Sequence, residues 1–144
     1  MPQEDFYAKV RRGMPRLVAQ WRDLGQDAPQ RLALLLAETA RVVRIGLPEA
    51  TPDAATLTAW SEAENGDDIP LWAARTATFL LVQMPARPRP RDADEACAWA
   101  YCWLRNRDFD SLEAAESALP SHLRESLADA LPAAWRDRQG LRLI

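Results

Sequence analysis

Residues Ala96-Cys97-Ala98-Trp99-Ala100-Tyr101-Cys102-Trp103-Leu104 form a run of nine without a charge or an amide. A segment apolar on every side has to be enclosed by other elements, so this run predicts the central helix of the fold. Asp92, Asp94 and Glu95 precede it and Arg105 and Arg107 follow it. That order of charge complements a helix macrodipole and favours helix over buried strand. After a break at 106–109, Asp110 with Glu113 three residues on reads as a reciprocal capping pair for a second helix, ending near Leu119 before Pro120. The chain is therefore expected to be organised around a central helical hairpin.

Upstream, Phe6, Val10, Met14, Leu17, Val18, Trp21 and Leu24 lie on one helical stripe. Pro15 lacks the N–H that would bond to Arg11 and, with Gly13, predicts a kink or break. Lys9, Arg11, Arg12 and Arg16 occupy the other side and read as a solvated outer face. Asp27 as N-cap and Pro29 in the first turn open a second helix. Leu32, Leu35, Leu36, Thr39, Ala40 and Val43 form its inward stripe, widened by Leu34, Val42 and Ile45. Gly46 is expected to supply the left-handed residue that ends it, with Leu47-Pro48 turning the chain away. Thr51-Pro52-Asp53 opens a short third helix through Leu57 and Trp60 to about Glu64.

Glu62, Glu64, Asn65, Asp67 and Asp68 surround Gly66. Aligning Gly66 with the glycine of a calcium-binding hand puts Ser61 and Ala63 at ligand positions and Trp72 at the last, so this is not a calcium loop. It reads as an exposed acidic turn in which Asp68 caps the next helix, with contact to a basic partner as the sharper alternative. The fourth helix, 69–84, is almost as apolar as the central one. The connection Pro85-Ala86-Arg87-Pro88-Arg89-Pro90-Arg91 holds three prolines in seven residues. Polyproline geometry at roughly 3 Å per residue lets it span about 20 Å. It can run back along the surface as a linker, or protrude as a basic arm for a proline-recognition module. Pro120-Ser121 starts the last stretch, with Leu123, Leu127, Leu131, Ala134 and Trp135 on one stripe, Pro132 kinking or splitting it and Gly140 ending it.

The hairpin 98–119, with Asp108-Phe109-Asp110 at its turn and Ala100 eight residues earlier, resembles a single tetratricopeptide unit. Leu112 and Glu116 stand where that pattern has a small and an aromatic residue, and no period of about 34 residues recurs. The chain is assigned to no family.

The residues that carry chemistry are few. His122 is the one histidine, in a first helical turn, where it reads as a surface residue. Cys97 and Cys102 point about 140° apart on a helix, so they are read as two buried thiols of a reducing compartment and not as a disulfide. With His122 they lack zinc-ligand spacing, and the glycines build no phosphate loop. No catalytic residue, cofactor or metal is expected, and the chain is read as no enzyme. Six tryptophans read mainly as core, with Trp60 or Trp135 as a partly exposed anchor for a partner.

At 144 residues with a formal charge of −3, the chain suits one domain, which at this size removes roughly 70% of its unfolded surface from water. The balance of charge offers no positive stripe for nucleic acid. No leader and no apolar run near the roughly eighteen residues of a membrane span is apparent, so no membrane is expected and the location is read as cytoplasmic. Lys9 is the only lysine, and the arginine-rich composition suggests a bacterial source. The fold expected is all-α: a single-domain orthogonal bundle, residues 1–144, of six or seven helices around the central hairpin. The function expected is binding of another protein by a small acidic inhibitor or immunity-type protein that neutralises a toxin or effector. Glu62, Glu64, Asp67, Asp68, Trp60, Arg87, Arg89 and Arg91 are the candidate partner-binding residues. The alternatives are an adaptor or chaperone that holds a peptide of a secretion or regulatory system in a helical groove, and a helical enzyme using carboxylates. Composition leaves the oligomeric state open.

Overall fold

The long amphipathic stripe at the start and the apolar run in the middle become the two helices on which the others pack. The computed structural model describes residues 2–46 and 50–142. Among them there is no strand. The helices are α1 (Pro2–Gly25), α2 (Pro29–Val42), α3 (Ala54–Glu62), α4 (Leu71–Gln83), α5 (Ala93–Asn106), α6 (Leu112–Ala118), α7 (Ser121–Arg124) and α8 (Ala130–Arg142), with a 3-10 turn at Gly66–Asp68. That is one more helix than expected, the extra one being the four residues of α7. No helix among the described residues is long and apolar enough to cross a membrane.

The packing centre is the pair α1 and α5, where the sequence suggested a hairpin of α5 and α6. α5 also meets α4 and α8, and α1 also meets α3, α4 and the 3-10 turn. Trp99, Ala98, Ala100 and Cys102 are fully enclosed, as the apolar run requires. α6 packs instead on α8. Trp103 Nε1 ties α6 back to α5 by donating to the Ala115 carbonyl at 3.1 Å.

Pro15 neither breaks nor ends α1, which is continuous over 24 residues. Met14, Leu17, Val18 and Trp21 are buried beside it, and their burial, at roughly 1.5–3 kcal/mol for each large apolar side chain, outweighs the roughly 3 kcal/mol that an interior proline costs. The basic side of α1 is not simply solvated. Arg12 forks onto Asp94 at 3.0 and 3.1 Å, Arg16 reaches Asp92 at 2.5 Å, and Arg11 pairs with Asp67. Asp92 is also the N-cap of α5, accepting from the Glu95 N–H at 2.9 Å. That bond, with Arg16 beside it, holds the Asp92 carboxyl below its usual range.

Several helix ends differ from expectation by a residue or two. Ala28 is the N-cap of α2, while the Asp27 carboxylate accepts from the adjacent Ala28 N–H at 2.7 Å and pairs with Arg31 at 3.7 Å. Asp53 caps α3, so Pro52 lies before the cap and not in the first turn. Ser111 caps α6 in place of Asp110. Pro70 precedes α4 without a side-chain cap, so Asp68 does not serve as one. α2 ends at a left-handed residue, but that residue is Arg44, with φ of 59°. Its N–H bonds to the Arg41 carbonyl and the Ile45 N–H to the Ala40 carbonyl, the paired closure of a Schellman motif. Gly46 is needed for space: a Cβ there would stand 2.6 Å from the Trp72 Cβ. Leu47-Pro48 falls outside the described residues. α8 runs on through Gly140 to Arg142, so Gly140 does not end it.

Arg75, a charged interruption of apolar α4, fastens three elements together. It donates to Asn106 Oδ1 at 3.0 Å, to the Arg105 carbonyl at 2.6 Å and to the Ile45 carbonyl at 3.3 Å, while Asn106 Nδ2 returns a bond to the Arg75 carbonyl at 3.0 Å. Carbonyls at the C-terminal ends of two helices, α2 and α5, thereby gain a cationic donor.

Residues 85–91 run back along the body. Arg87 adopts φ of 52° after a turn in which its N–H bonds to Met84. Pro88 is buried, Gln20 Nε2 of α1 donates to the Arg89 carbonyl at 3.2 Å, and Arg91 clasps Glu95 through its backbone N–H and its Nε, both at 3.1 Å. Glu95 is 2% exposed, so the strap and α5 are joined through a buried carboxylate.

Candidate functional site

The acidic turn is shaped by its own short-range bonds. Asn65 Oδ1 accepts from the Asp67 N–H at 2.8 Å, and the Asp68 and Ile69 N–H groups bond back to Asn65 and Gly66. Gly66 lets this turn lie flat on α1, since a Cβ there would come 2.8 Å from Met14 Sδ and 3.4 Å from the Arg11 carbonyl oxygen. Glu62, Glu64, Asp67 and Asp68 are all exposed. Asp67 is held by Arg11. Glu62, Glu64 and Asp68 make no ion pair or side-chain hydrogen bond among the described residues.

Beside the turn lies a groove of about 230 Å³ whose walls include Tyr7, Val10, Met14, Ile69, Leu71 and Tyr101. Tyr7 is 38% and Leu71 40% exposed, so both present apolar surface to solvent next to the carboxylates. The two tyrosines meet edge to face at 6.4 Å. The Asp137 carboxylate facing the Tyr7 hydroxyl, with partial burial, pushes the Tyr7 pKa up to about 12. Asp137 in turn accepts from Arg105 at 3.4 Å, and Arg105 lies 3.9 Å from the Tyr101 ring centre. The groove floor is thus braced by a chain of polar contacts to α8.

Trp60 is half-buried, its ring edge-on to Trp72 at 5.6 Å. It occupies the last turns of α3, which leads into the acidic residues. Arg87, Arg89 and Arg91 do not join this face. The acidic turn meets α1 at Arg11 and Met14, whereas the strap meets it at Gln20, about 13 Å along the helix from Arg11. Arg87 and Arg89 are exposed, and Arg91 is engaged by Glu95.

Tyr7, Leu71 and Tyr101 were not among the residues singled out from sequence. A signal for Tyr7 exists, because Tyr7, Val10 and Met14 follow the i, i+3, i+7 spacing of a second stripe beside the main one. Leu71 and Tyr101 offer no such signal, since their apolar helices leave no pattern by which to rank one apolar position against another.

The nucleophile candidates are muted by their surroundings. Burial pushes Cys102 up to about 12 and raises Cys97, which keeps both thiols protonated. Burial, with Arg87 and Arg89 nearby, lowers the His122 pKa. Among the described residues no group of three His, Cys, Asp or Glu side chains is placed to hold a metal ion. No protein-family model matches the chain, and no curated protein and no solved structure matches it either.

Proposed function

We propose that this is a non-enzymatic protein-binding module of the inhibitor or immunity type, which covers a basic working surface of a toxin or effector with the acidic turn and the groove beside it. The observation that supports the reading is a turn with three exposed, unpaired carboxylates, Glu62, Glu64 and Asp68, whose Gly66 and Asp67 line the groove that also holds the exposed Tyr7 and Leu71. Exposed charge of one sign accelerates encounter with a partner of the other sign. Apolar anchors beside it supply the burial that slows dissociation. Arg11 keeps Asp67 and the turn in one position, so little ordering is required on binding.

The test pairs capture with charge reversal. The tagged protein is used to isolate partners from native lysate at low and moderate salt, and affinity for the captured protein is then measured for Glu62→Lys/Glu64→Lys/Asp68→Lys. A basic partner whose association slows with salt and whose affinity falls at least about tenfold in the triple variant supports the reading. Unchanged affinity in that variant removes this face as the interface.

A further inference from the structure

A second hollow, of about 290 Å³, opens where the end of α2, the outer side of α4 and the C-terminal end of α5 meet α6. Its lining is mostly apolar, including Val43, Ile45, Phe79, Val82 and Trp103, and also takes in Arg107 and two amides, Asn106, bonded to Arg75, and Gln83, whose Nε2 donates to the Phe79 carbonyl. Arg107 is exposed, and Arg44, between the lining residues Val43 and Ile45, is exposed as well. No carboxylate is found among the described residues lining it. The apolar surface continues outside the hollow. Val42 is 80% exposed, and Leu35 and Leu34, both close to two helical turns before it, are 47% and 44% exposed on the same helix. From Leu35 to Val42 is roughly 10 Å of helix.

We infer that this hollow and the outer face of α2 bind an acidic peptide segment, whose aromatic or branched aliphatic side chain enters between Phe79 and Trp103 and whose carboxylates meet Arg107 and Arg44. The walls favour an apolar group, because most of the lining is apolar and both ends of the Asn106 amide and the Gln83 Nε2 are already bonded within the protein. The rim favours negative charge, because among the described residues neither Arg44 nor Arg107 makes an ion pair, Asp108 beside Arg107 being paired with Arg138, and an exposed guanidinium can hold a carboxylate bidentately. The length of the strip selects a chain over a compact molecule: a single ring fills the hollow and leaves Val42 and Leu35 bare. Helix-in-groove recognition of this kind reads anchors at i, i+3 or i+4, and i+7. The site is independent of the acidic face, takes a ligand of opposite charge, and uses none of its residues.

Ile45 and Ile69 make the two sites separately observable, since Ile45 lines this hollow and Ile69 the groove beside the acidic turn. The probe is a twelve-residue peptide, about 18 Å as a helix, with tryptophan and leucine on one helical face and glutamate elsewhere; its counterpart has lysine for every glutamate. Each is titrated into protein labelled at the isoleucine δ1 methyl groups. The expected result is movement of the Ile45 resonance with the glutamate peptide and not with the lysine one, while Ile69 stays in place. Arg107→Glu and Val42→Asp, both at exposed positions, each weaken the glutamate peptide by at least about tenfold. Thermal melts identify any variant that fails to fold, and the other then carries the comparison. An unmoved Ile45, equal binding of the lysine peptide, or indole-3-acetate binding at Ile45 as tightly as the peptide would each overturn the inference. The last outcome would reassign the hollow to a small acid.

Discussion

Gly13 of α1 lies flush against the backbone of Asp94 in α5: a Cβ on Gly13 would stand 2.2 Å from the Asp94 carbonyl oxygen and 2.9 Å from the Ala98 Cβ. Ordinary carbon contacts need more than 3 Å, and backbone cannot swing aside as a side chain can. Gly13→Ala gains up to about 1 kcal/mol of helix propensity but forces the two central helices apart, at about 1–3 kcal/mol or more. The net expectation is a loss of about 2 kcal/mol in urea unfolding. Gly25→Ala is the control, because its Cβ would meet only the flexible tip of Leu32, at 2.7 Å, and its effect should stay within about 1 kcal/mol.

Arg75, the single charged residue of α4, is expected to be sensitive to substitution. Arg75→Met keeps the bulk of the stem but leaves the Arg105 and Ile45 carbonyls and Asn106 Oδ1 without their donor. A loss of about 2–3 kcal/mol follows from bonds to a charged group. Arg75→Lys should recover less than half, since one ammonium cannot span three acceptors that the guanidinium fork reaches. Chemical denaturation of both variants checks the order.

Tyr7 sets an alkaline limit. Its folded pKa is raised to about 12 from an ordinary value of 10.0 by the nearby Asp137 carboxylate and by burial. The folded state therefore holds this proton more tightly than the unfolded state. The stabilisation is complete below pH 10 and is lost as the pH climbs toward 12. Tyr7→Phe removes this loss, so the gap in melting temperature between the two proteins should narrow between pH 10 and 12. Absorbance at 295 nm should show one tyrosine in the native protein missing its normal transition near pH 10.

Much of the fold is legible because α5 announces itself: nine apolar residues framed by acids and then arginines can be little else than an enclosed helix, and Asp92 does cap it. What could not be read is where two elements touch. Gly13 and Pro15 look like damage to an amphipathic stripe, yet Gly13 lets α1 lie flush against the Asp94 backbone of α5. Leu34, Leu35 and Val42 look like core, yet α2 already buries Leu32, Ala33, Leu36, Ala37 and Ala40, which fills one face and leaves the other leucines outside. For the candidate site, clustering of Glu62, Glu64, Asp67 and Asp68 follows from their closeness in sequence. The groove does not, because Tyr7, Leu71 and Tyr101 come from three helices and are joined only by packing.

Glu95 decides whether the arginine-rich strap behaves as linker or as arm. Its carboxylate is 2% exposed and accepts from the Arg91 backbone N–H and Nε, with Arg16 at 3.9 Å. Glu95→Gln retains an acceptor for the Arg91 N–H and should cost about 1–2 kcal/mol. Arg91→Ala leaves a buried charge with less compensation and should cost more, about 3 kcal/mol. Glu95→Ala instead releases the strap itself. Trypsin cleaves poorly before proline, so Arg87 and Arg89, each followed by proline, resist it whatever the strap does. The Arg91–Asp92 bond is the reporter, shielded while Arg91 clasps Glu95 and open once it lifts. Limited trypsin digestion should cut Glu95→Ala at Arg91 at least about tenfold faster than the parent protein or Glu95→Gln, at a temperature where all three remain folded, because local opening and not global unfolding then controls the rate. Equal rates would mean that the strap is held by Pro88 and Gln20 alone, and that the buried carboxylate serves α5 and not the connection.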